Sequence, residues 1–271
     1  MVAAVSQYLG AALAVELFLV LAPAGTALLR VGSAALIMTI IMALRVCRGQ
    51  LSGKYISRKD LQQACLFGVI LAGMNTSIYF SIAELPLGNA VAVEFLGPLS
   101  VAAAGTRNKR SAGALALAAT GVAILAGVEA SGTLRGVGFA VLAGSFWAGY
   151  ILLGHKIAHS QFAREELGIG LLVGALAISP IGLDDVMSTS DSPKVLALGC
   201  VLGLLSNVIP YRIEQLIMSR ISHTRFASLQ ALLPVTATII GFLLLLQTPS
   251  PRELIGIGLV VTAIALGRNE L

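Results

Sequence analysis

Apolar residues run almost unbroken along this chain, interrupted at intervals by charged clusters or by Gly and Pro. Most of the runs approach the roughly 20 residues an α-helix needs to cross a hydrocarbon core. They fall at 3–21, 24–44, 61–83, 87–106, 111–128, 136–157, 166–183, 194–219, 224–246 and 252–267, which predicts ten transmembrane helices. Barrel strands alternate apolar and polar positions, whereas these runs are continuous and rich in Leu, Ala, Gly and Val, so strands are not expected. The first run begins almost at Met1 with no basic segment before it and no evident cleavage site, and it reads as a retained span rather than a signal peptide.

Composition agrees: hydrophobic residues make up 57% of the 271 positions and charged residues 11%, which excludes an ordinary soluble domain. Ten spans leave too few residues for a folded soluble domain, so any chemistry is expected within the bilayer. With the N-terminus inside, Arg45, Arg48, Lys54, Arg58, Lys59, Arg107, Lys109, Arg110, Lys156, Arg164, Arg220, Arg225 and Arg268 are cytoplasmic, and only Arg135, Lys194 and Arg252 fall outside. The positive-inside rule therefore predicts both termini in the cytoplasm. The same residues account for the net charge of +5 as the mark of a protein facing an anionic leaflet, with no call for nucleic acid. Cys47, Cys65 and Cys200 are widely spaced and form no CxxC or Cys/His cluster, so neither a metal nor a cofactor is expected.

Two stretches match at a separation of 136 residues. Leu85 to Gly105 (LPLGNAVAVEFLGPLSVAAAG) aligns with Ile221 to Gly241 (ISHTRFASLQALLPVTATIIG), with Leu96 on Leu232, Pro98 on Pro234, Gly105 on Gly241 and Glu94 on Gln230. Ser6 to Gly10 pairs with Ser145 to Gly149, and Ala123 to Gly127 with Ala263 to Gly267, at similar offsets. Residues 1–130 and 131–271 then read as two repeats. Five helices per repeat is an odd number, so the second enters the membrane in the opposite sense. The expected fold is an all-α membrane protein of ten transmembrane helices in two inverted five-helix repeats, an arrangement suited to alternating access.

Ionisable and polar residues inside such helices are costly in lipid and so are candidates for function. Glu94 lies mid-span and is a candidate for holding a substrate ammonium group or a coupling proton, the other reading being a buried structural hydrogen bond. Asn207, Tyr211 and Glu214 share one face of the eighth helix, where Pro210 interrupts the hydrogen-bond ladder and frees backbone carbonyls. Asn75 and Tyr79 form a similar stripe on the third helix, and Trp147 and Tyr150 on the sixth; cavity lining and packing both fit them. Gln230 occupies the place of Glu94 in the second repeat. Arg30 either clamps a carboxylate or snorkels outward. Arg212 snorkels or pairs with an acid, and Glu16 is a possible partner for either arginine. His155 and His159 stand four apart, but Lys156 breaks the HExxH pattern, leaving a solvated helix end. Gly170 with Gly174, and Gly199 with Gly203, suit close helix packing.

Gly73 to Leu99 (GMNTSIYFSIAELPLGNAVAVEFLGPL) resembles the EamA-type carriers of the drug/metabolite transporter superfamily, and most of all their bacterial threonine/homoserine exporter branch. Thr26 to Arg30, Phe146 to Leu152, Pro210-Tyr211 and Glu214 carry the likeness further, and it spans about Gln7 to Leu266. Arg212 and Glu16 depart from the pattern. The resemblance implies a bacterial inner-membrane carrier of ten helices, exporting small amino acids or related metabolites through a central cavity. A broader drug or nucleotide-sugar carrier of the same superfamily is the alternative, and a non-transporting structural subunit is the alternative of another class. No GxxxxGK[ST] loop for ATP is present and no enzymatic constellation is evident, so the expected partners are a small-molecule substrate, a coupling proton and the lipid bilayer.

Overall fold

The computed structural model describes residues 2–49, 56–104, 109–127, 134–189, 191–230 and 233–267. Lys54, Arg107 and Arg268 of the expected cytoplasmic set, and Gly105 and Leu232 of the repeat, lie outside the described residues. Every regular element among those described is helical: α1 (Val2–Leu17), α2 (Pro23–Cys47), α3 (Arg58–Ile82), α4 (Leu87–Glu94), α5 (Leu96–Ala104), α6 (Lys109–Gly127), α7 (Leu134–Ala158), α8 (Ala163–Ser188), α9 (Pro193–Gly203), a π turn (Leu204–Val208), α10 (Ile209–Met218), α11 (His223–Leu229), α12 (Leu233–Leu245) and α13 (Pro251–Gly267). Among the described residues, six segments are long and apolar enough to cross a membrane: Pro23–Cys47, Arg58–Ile82, Leu87–Ala104, Leu134–Ala158, Ala163–Ser188 and Pro193–Met218. Their exposed faces are apolar, with Leu36, Ile40 and Leu44 on α2 and Leu176, Ile181 and Leu183 on α8, as a lipid solvent requires.

Local chemistry sets several helix starts. Pro23, Pro193 and Pro251 each stand in a first turn, where the missing N–H costs nothing. Ser250 and Glu253 form a full capping box: Glu253 N–H donates to Ser250 Oγ at 3.3 Å, and Ser250 N–H donates to Glu253 Oε2 at 2.5 Å. Ser57 and Asp60 do the same ahead of α3.

The chain forms two compact units, Met1–Thr76 with Leu153–Ser219 and Ser77–Leu152 with Arg220–Leu271. In the first, α2 packs along α8, and α1 lies against α9, the π turn and α10. A Cβ on Gly68 of α3 would come 2.4 Å from the carbonyl oxygen of Gly170, and one on Gly174 would come 3.1 Å from that of Gly68. The expected close approach of Gly170 and Gly174 is thus made against α3, backbone to backbone. Gly203 is held equally tightly on α2, where its Cβ would lie 2.7 Å from the carbonyl of Arg30.

In the second unit α6 packs along α13, α4 on α12 and α5 on α11. Its tightest point is Gly97 of α5 against Gly144 of α7: a Cβ on Gly97 would stand 1.9 Å from the Gly144 carbonyl oxygen. Beside this contact Phe95 meets Trp147 edge to face, ring centroids 6.2 Å apart.

Two expected spans are not regular α-helix throughout. The segment 87–106 breaks at Phe95 between α4 and α5, and 194–219 contains the π turn. Prolines account for both. Pro98 and Pro210 lack the N–H that would reach the carbonyls four residues earlier, those of Glu94 and Ser206. In the expected span 224–246, residues 231–232 between α11 and α12 lie outside the described residues.

Candidate functional site

In the first unit the polar residues gather at the π turn. Within it the N–H of Ile209 donates to the carbonyl of Leu204, one residue further back than an α-helix would reach. That leaves the carbonyl of Leu205 without its α-helical donor, while Pro210 leaves the carbonyl of Ser206 without one. Side chains from two other helices take both. Ser6 Oγ of α1 donates to the Leu205 carbonyl at 2.6 Å, and Arg30 Nη2 of α2 donates to the Ser206 carbonyl at 3.0 Å. The same guanidinium donates through Nε to Asn207 Oδ1 at 2.5 Å. Arg30 is buried and turned into the unit rather than outward. Gly10 lets α1 come this close, since a Cβ there would lie 1.9 Å from Ser206 Oγ.

One turn further, Tyr211 Oη accepts a hydrogen bond from Asn75 Nδ2 of α3 at 3.1 Å, and the same amide group donates to the carbonyl of Leu71 at 2.7 Å. Asn75 and Tyr211 are 136 residues apart, the separation at which the stretches 85–105 and 221–241 match in sequence. Asn207, Tyr211 and Glu214 are all buried, so the face they share points inward. The Oδ1 of Asn75, the Nδ2 of Asn207 and the Oγ of Ser206 are buried with no hydrogen-bond partner among the described residues.

The second unit holds the other five predicted residues. Glu94 is buried at the end of α4, where the chain breaks, and Gly144 of α7 presses on its carbonyl. Tyr79, Trp147, Tyr150 and Gln230 are buried as well, Trp147 through its contact with Phe95. The ten predicted residues are therefore buried in two sets: Arg30, Asn75, Asn207, Tyr211 and Glu214 in one unit, and Tyr79, Glu94, Trp147, Tyr150 and Gln230 in the other.

Some polar contacts were not evident from the sequence. Ser6 looks like one hydroxyl in an apolar helix, and only its partner explains it. Asn89 Nδ2 donates to the buried Glu253 Oε1, beside a cavity of about 420 Å³ lined by Gln247, Thr248 and Ser250 among others. The capping pattern of Ser250 and Glu253 was the available signal for the latter. Arg45 Nη1 pairs with Glu165 Oε1 at 2.7 Å. Glu165 and Glu166 are both buried in the first turn of α8, where a helix favours negative charge. Arg212 is half-buried beside Arg45, Arg164 and Glu165 on a cavity of about 90 Å³, and its Nη1 donates to Gln215 at 3.1 Å. Glu16 is exposed on α1, while Arg30 is engaged at the π turn.

Apolar helices of membrane length, with buried acids and amides at their proline breaks, define a multi-pass helical membrane protein with a polar interior in each unit. Residues 134–267 match the EamA-like transporter family. The threonine/homoserine exporter RhtA of Escherichia coli (strain K12) is 32% identical over 257 residues, covering 94% of this chain and 84% of its own. RhtA of Salmonella typhimurium is 29% identical over the same shares. The chain belongs to the EamA-like transporter family, in the drug/metabolite transporter superfamily and close to the RhtA branch. A solved crystal structure with 19% identity superposes at a TM-score of 0.66, covering 98% of this chain and 94% of its own, which shows a common fold.

Proposed function

We propose that the protein is a secondary carrier that exports small amino acids of the threonine/homoserine kind, or related metabolites, by alternating access. The observation that carries this reading is the 32% identity over nearly the whole chain to exporters whose name states that cargo. The protein is multi-pass in a bacterial inner membrane, with ten spans in two inverted repeats, 1–130 and 131–271, and both termini cytoplasmic. Three features support the repeat: the aligned stretches around Glu94 and Gln230, the pairing of α2 with α8 and of α6 with α13, and the hydrogen bond between Asn75 and Tyr211.

Each unit contributes a polar set to substrate handling. Glu94 and Glu214 serve a substrate ammonium group or a coupling proton, since ionisable groups kept inside lipid-facing helices are costly and mark substrate or ion pathways. Tyr79, Trp147, Tyr150 and Gln230 are buried in the same unit as the first, and Asn75, Asn207 and Tyr211 in the same unit as the second, with the amide groups of Asn75 and Asn207 still holding hydrogen-bonding capacity. The test is uptake into reconstituted vesicles of labelled threonine, homoserine, aromatic amino acids and cationic dyes, with and without an imposed pH difference. Threonine or homoserine flux that falls in Glu94→Gln is the expected result. Flux of bulky cargo alone points to a broader carrier, no flux of any cargo to a structural subunit, and threonine flux unchanged in Glu94→Gln removes the principal site residue.

A further inference from the structure

We infer that Arg30 and Ser6 are positioning residues, which hold the π turn of the α9–α10 segment in the register that presents Asn207 and Tyr211. The inference rests on the transport reading for its consequence but not for its geometry. A π turn spends an extra residue per turn, so everything after Val208 is rotated relative to what an uninterrupted α-helix from α9 would place there. Such a turn is stable only if the carbonyls it releases find donors, because lipid offers none. Here the donors are Ser6 Oγ for Leu205 and Arg30 Nη2 for Ser206.

The planar fork of the guanidinium lets one side chain bind the Ser206 carbonyl and Asn207 Oδ1 together. The carbonyl contact fixes the backbone of the turn. The amide contact fixes the rotamer of Asn207, leaving its Nδ2 pointing elsewhere with no partner among the described residues. Arg30 therefore acts through Asn207 and through the turn that carries Tyr211. A lysine supplies the charge but not the fork.

The same chemistry gives a test through Pro210. Pro210→Ala returns an N–H at position 210, the α-helical donor for the Ser206 carbonyl, and so relieves Arg30 of its backbone task. Four proteins are compared in reconstituted vesicles: the parent, Arg30→Gln, Pro210→Ala and the double variant, with Arg30→Lys as a fifth. Two readouts are taken, the apparent KM and Vmax for threonine, and amide hydrogen exchange across residues 203–214. Arg30→Gln is expected to raise KM about tenfold with a smaller change in Vmax, and to speed exchange in that segment by at least the same factor, the worth of one charged hydrogen bond. Arg30→Lys is expected to recover part of the exchange protection and little of the KM. In the Pro210→Ala background the further effect of Arg30→Gln on exchange is expected to shrink several-fold.

Equal effects of Arg30→Gln in both backgrounds overturn the inference, as does a loss confined to Vmax. If the parent itself moves no threonine, the cargo reading fails and the exchange cycle alone decides the inference: non-additivity supports it, additivity ends it.

Discussion

Replacing Gly97 with alanine, set beside the same replacement at Gly138, makes one chemical change with opposite expected signs. Both glycines are helical, one in α5 and one in α7. At Gly138 a Cβ meets nothing within 4 Å, so the substitution gains only helix propensity, up to about 1 kcal/mol. At Gly97 the new carbon would stand 1.9 Å from the Gly144 oxygen and 2.6 Å from its carbonyl carbon. That is about 1.5 Å short of van der Waals contact. The obstacle is backbone on both sides, so no side chain can swing away and α5 must part from α7. Overpacking of this kind costs about 1–3 kcal/mol, and a rigid obstacle argues for the upper end. The two variants should thus differ by about 3 kcal/mol, more than a hundredfold in the unfolding equilibrium. The assay is denaturant unfolding in detergent followed by fluorescence. Trp147 is the single tryptophan and lies against Phe95, two residues from the mutated site, so its emission reports on this packing directly. Gly97→Ala should lower the midpoint and shift the native emission, while Gly138→Ala does neither. Equal midpoints with unchanged emission would refute the reasoning.

Two further outcomes follow from the acids the sequence did not single out. Glu253→Ala removes a capping box, worth about 1 kcal/mol, and strands the Asn89 amide, worth about 1–3 kcal/mol more. The thermal midpoint should fall well below that of Glu253→Gln, and a midpoint equal to the parent's would contradict the assignment. Arg45→Gln leaves the Glu165 carboxylate buried without its partner at a cost of about 2 kcal/mol, read as a lower midpoint in the same unfolding assay. Reversing the pair as Arg45→Glu with Glu165→Arg should recover only part of this, because a cation in the first turn of α8 opposes the helix dipole.

Hydrophobic length was enough to place six membrane-length helical segments among the described residues, because continuous apolar runs rule out the alternating strands of a barrel and leave the helix to satisfy the backbone. The inward side of each helix was legible for a related reason. Asn207, Tyr211 and Glu214 at spacings of four and three are polar together, lipid will not accept them, and all three are buried. The breaks were not legible as breaks. A hydropathy window reads 87–106 as continuous, although Pro98 ends the helix ladder at Glu94, and hydropathy alone does not distinguish a proline that splits a helix from one that does not. From the sequence Arg30 fits either a clamp or a snorkel, because both depend only on its own helix. Its actual partners, Ser206 and Asn207, lie more than 170 residues away, and no local pattern encodes them.

Pro180 shows what separates the two kinds of proline. It sits inside α8, which runs unbroken from Ala163 to Ser188, even though Pro180 deprives the carbonyl of Leu176 of its donor. Ser179 Oγ supplies the replacement at 2.8 Å, from the same helix and one residue away. The orphan is repaired locally and the helix stays whole. At Pro210 the repair comes from α2 instead, so the distortion persists as a π turn tied to another helix. A proline with a hydroxyl neighbour is therefore a tolerated interior residue, and a proline repaired from elsewhere is a joint between helices. Ser179→Ala tests the distinction. It should lower stability by about 1–2 kcal/mol, the cost of an unsatisfied carbonyl on a face turned to lipid or detergent rather than water, and the penalty should largely disappear in Pro180→Ala, where the N–H is restored. Transport should be unaffected, since no predicted contact residue depends on that turn. A Ser179→Ala penalty that persists with Pro180→Ala would mean that the hydroxyl serves something other than the Leu176 carbonyl, and the analogous reasoning at Arg30 and Pro210 would lose its nearest control.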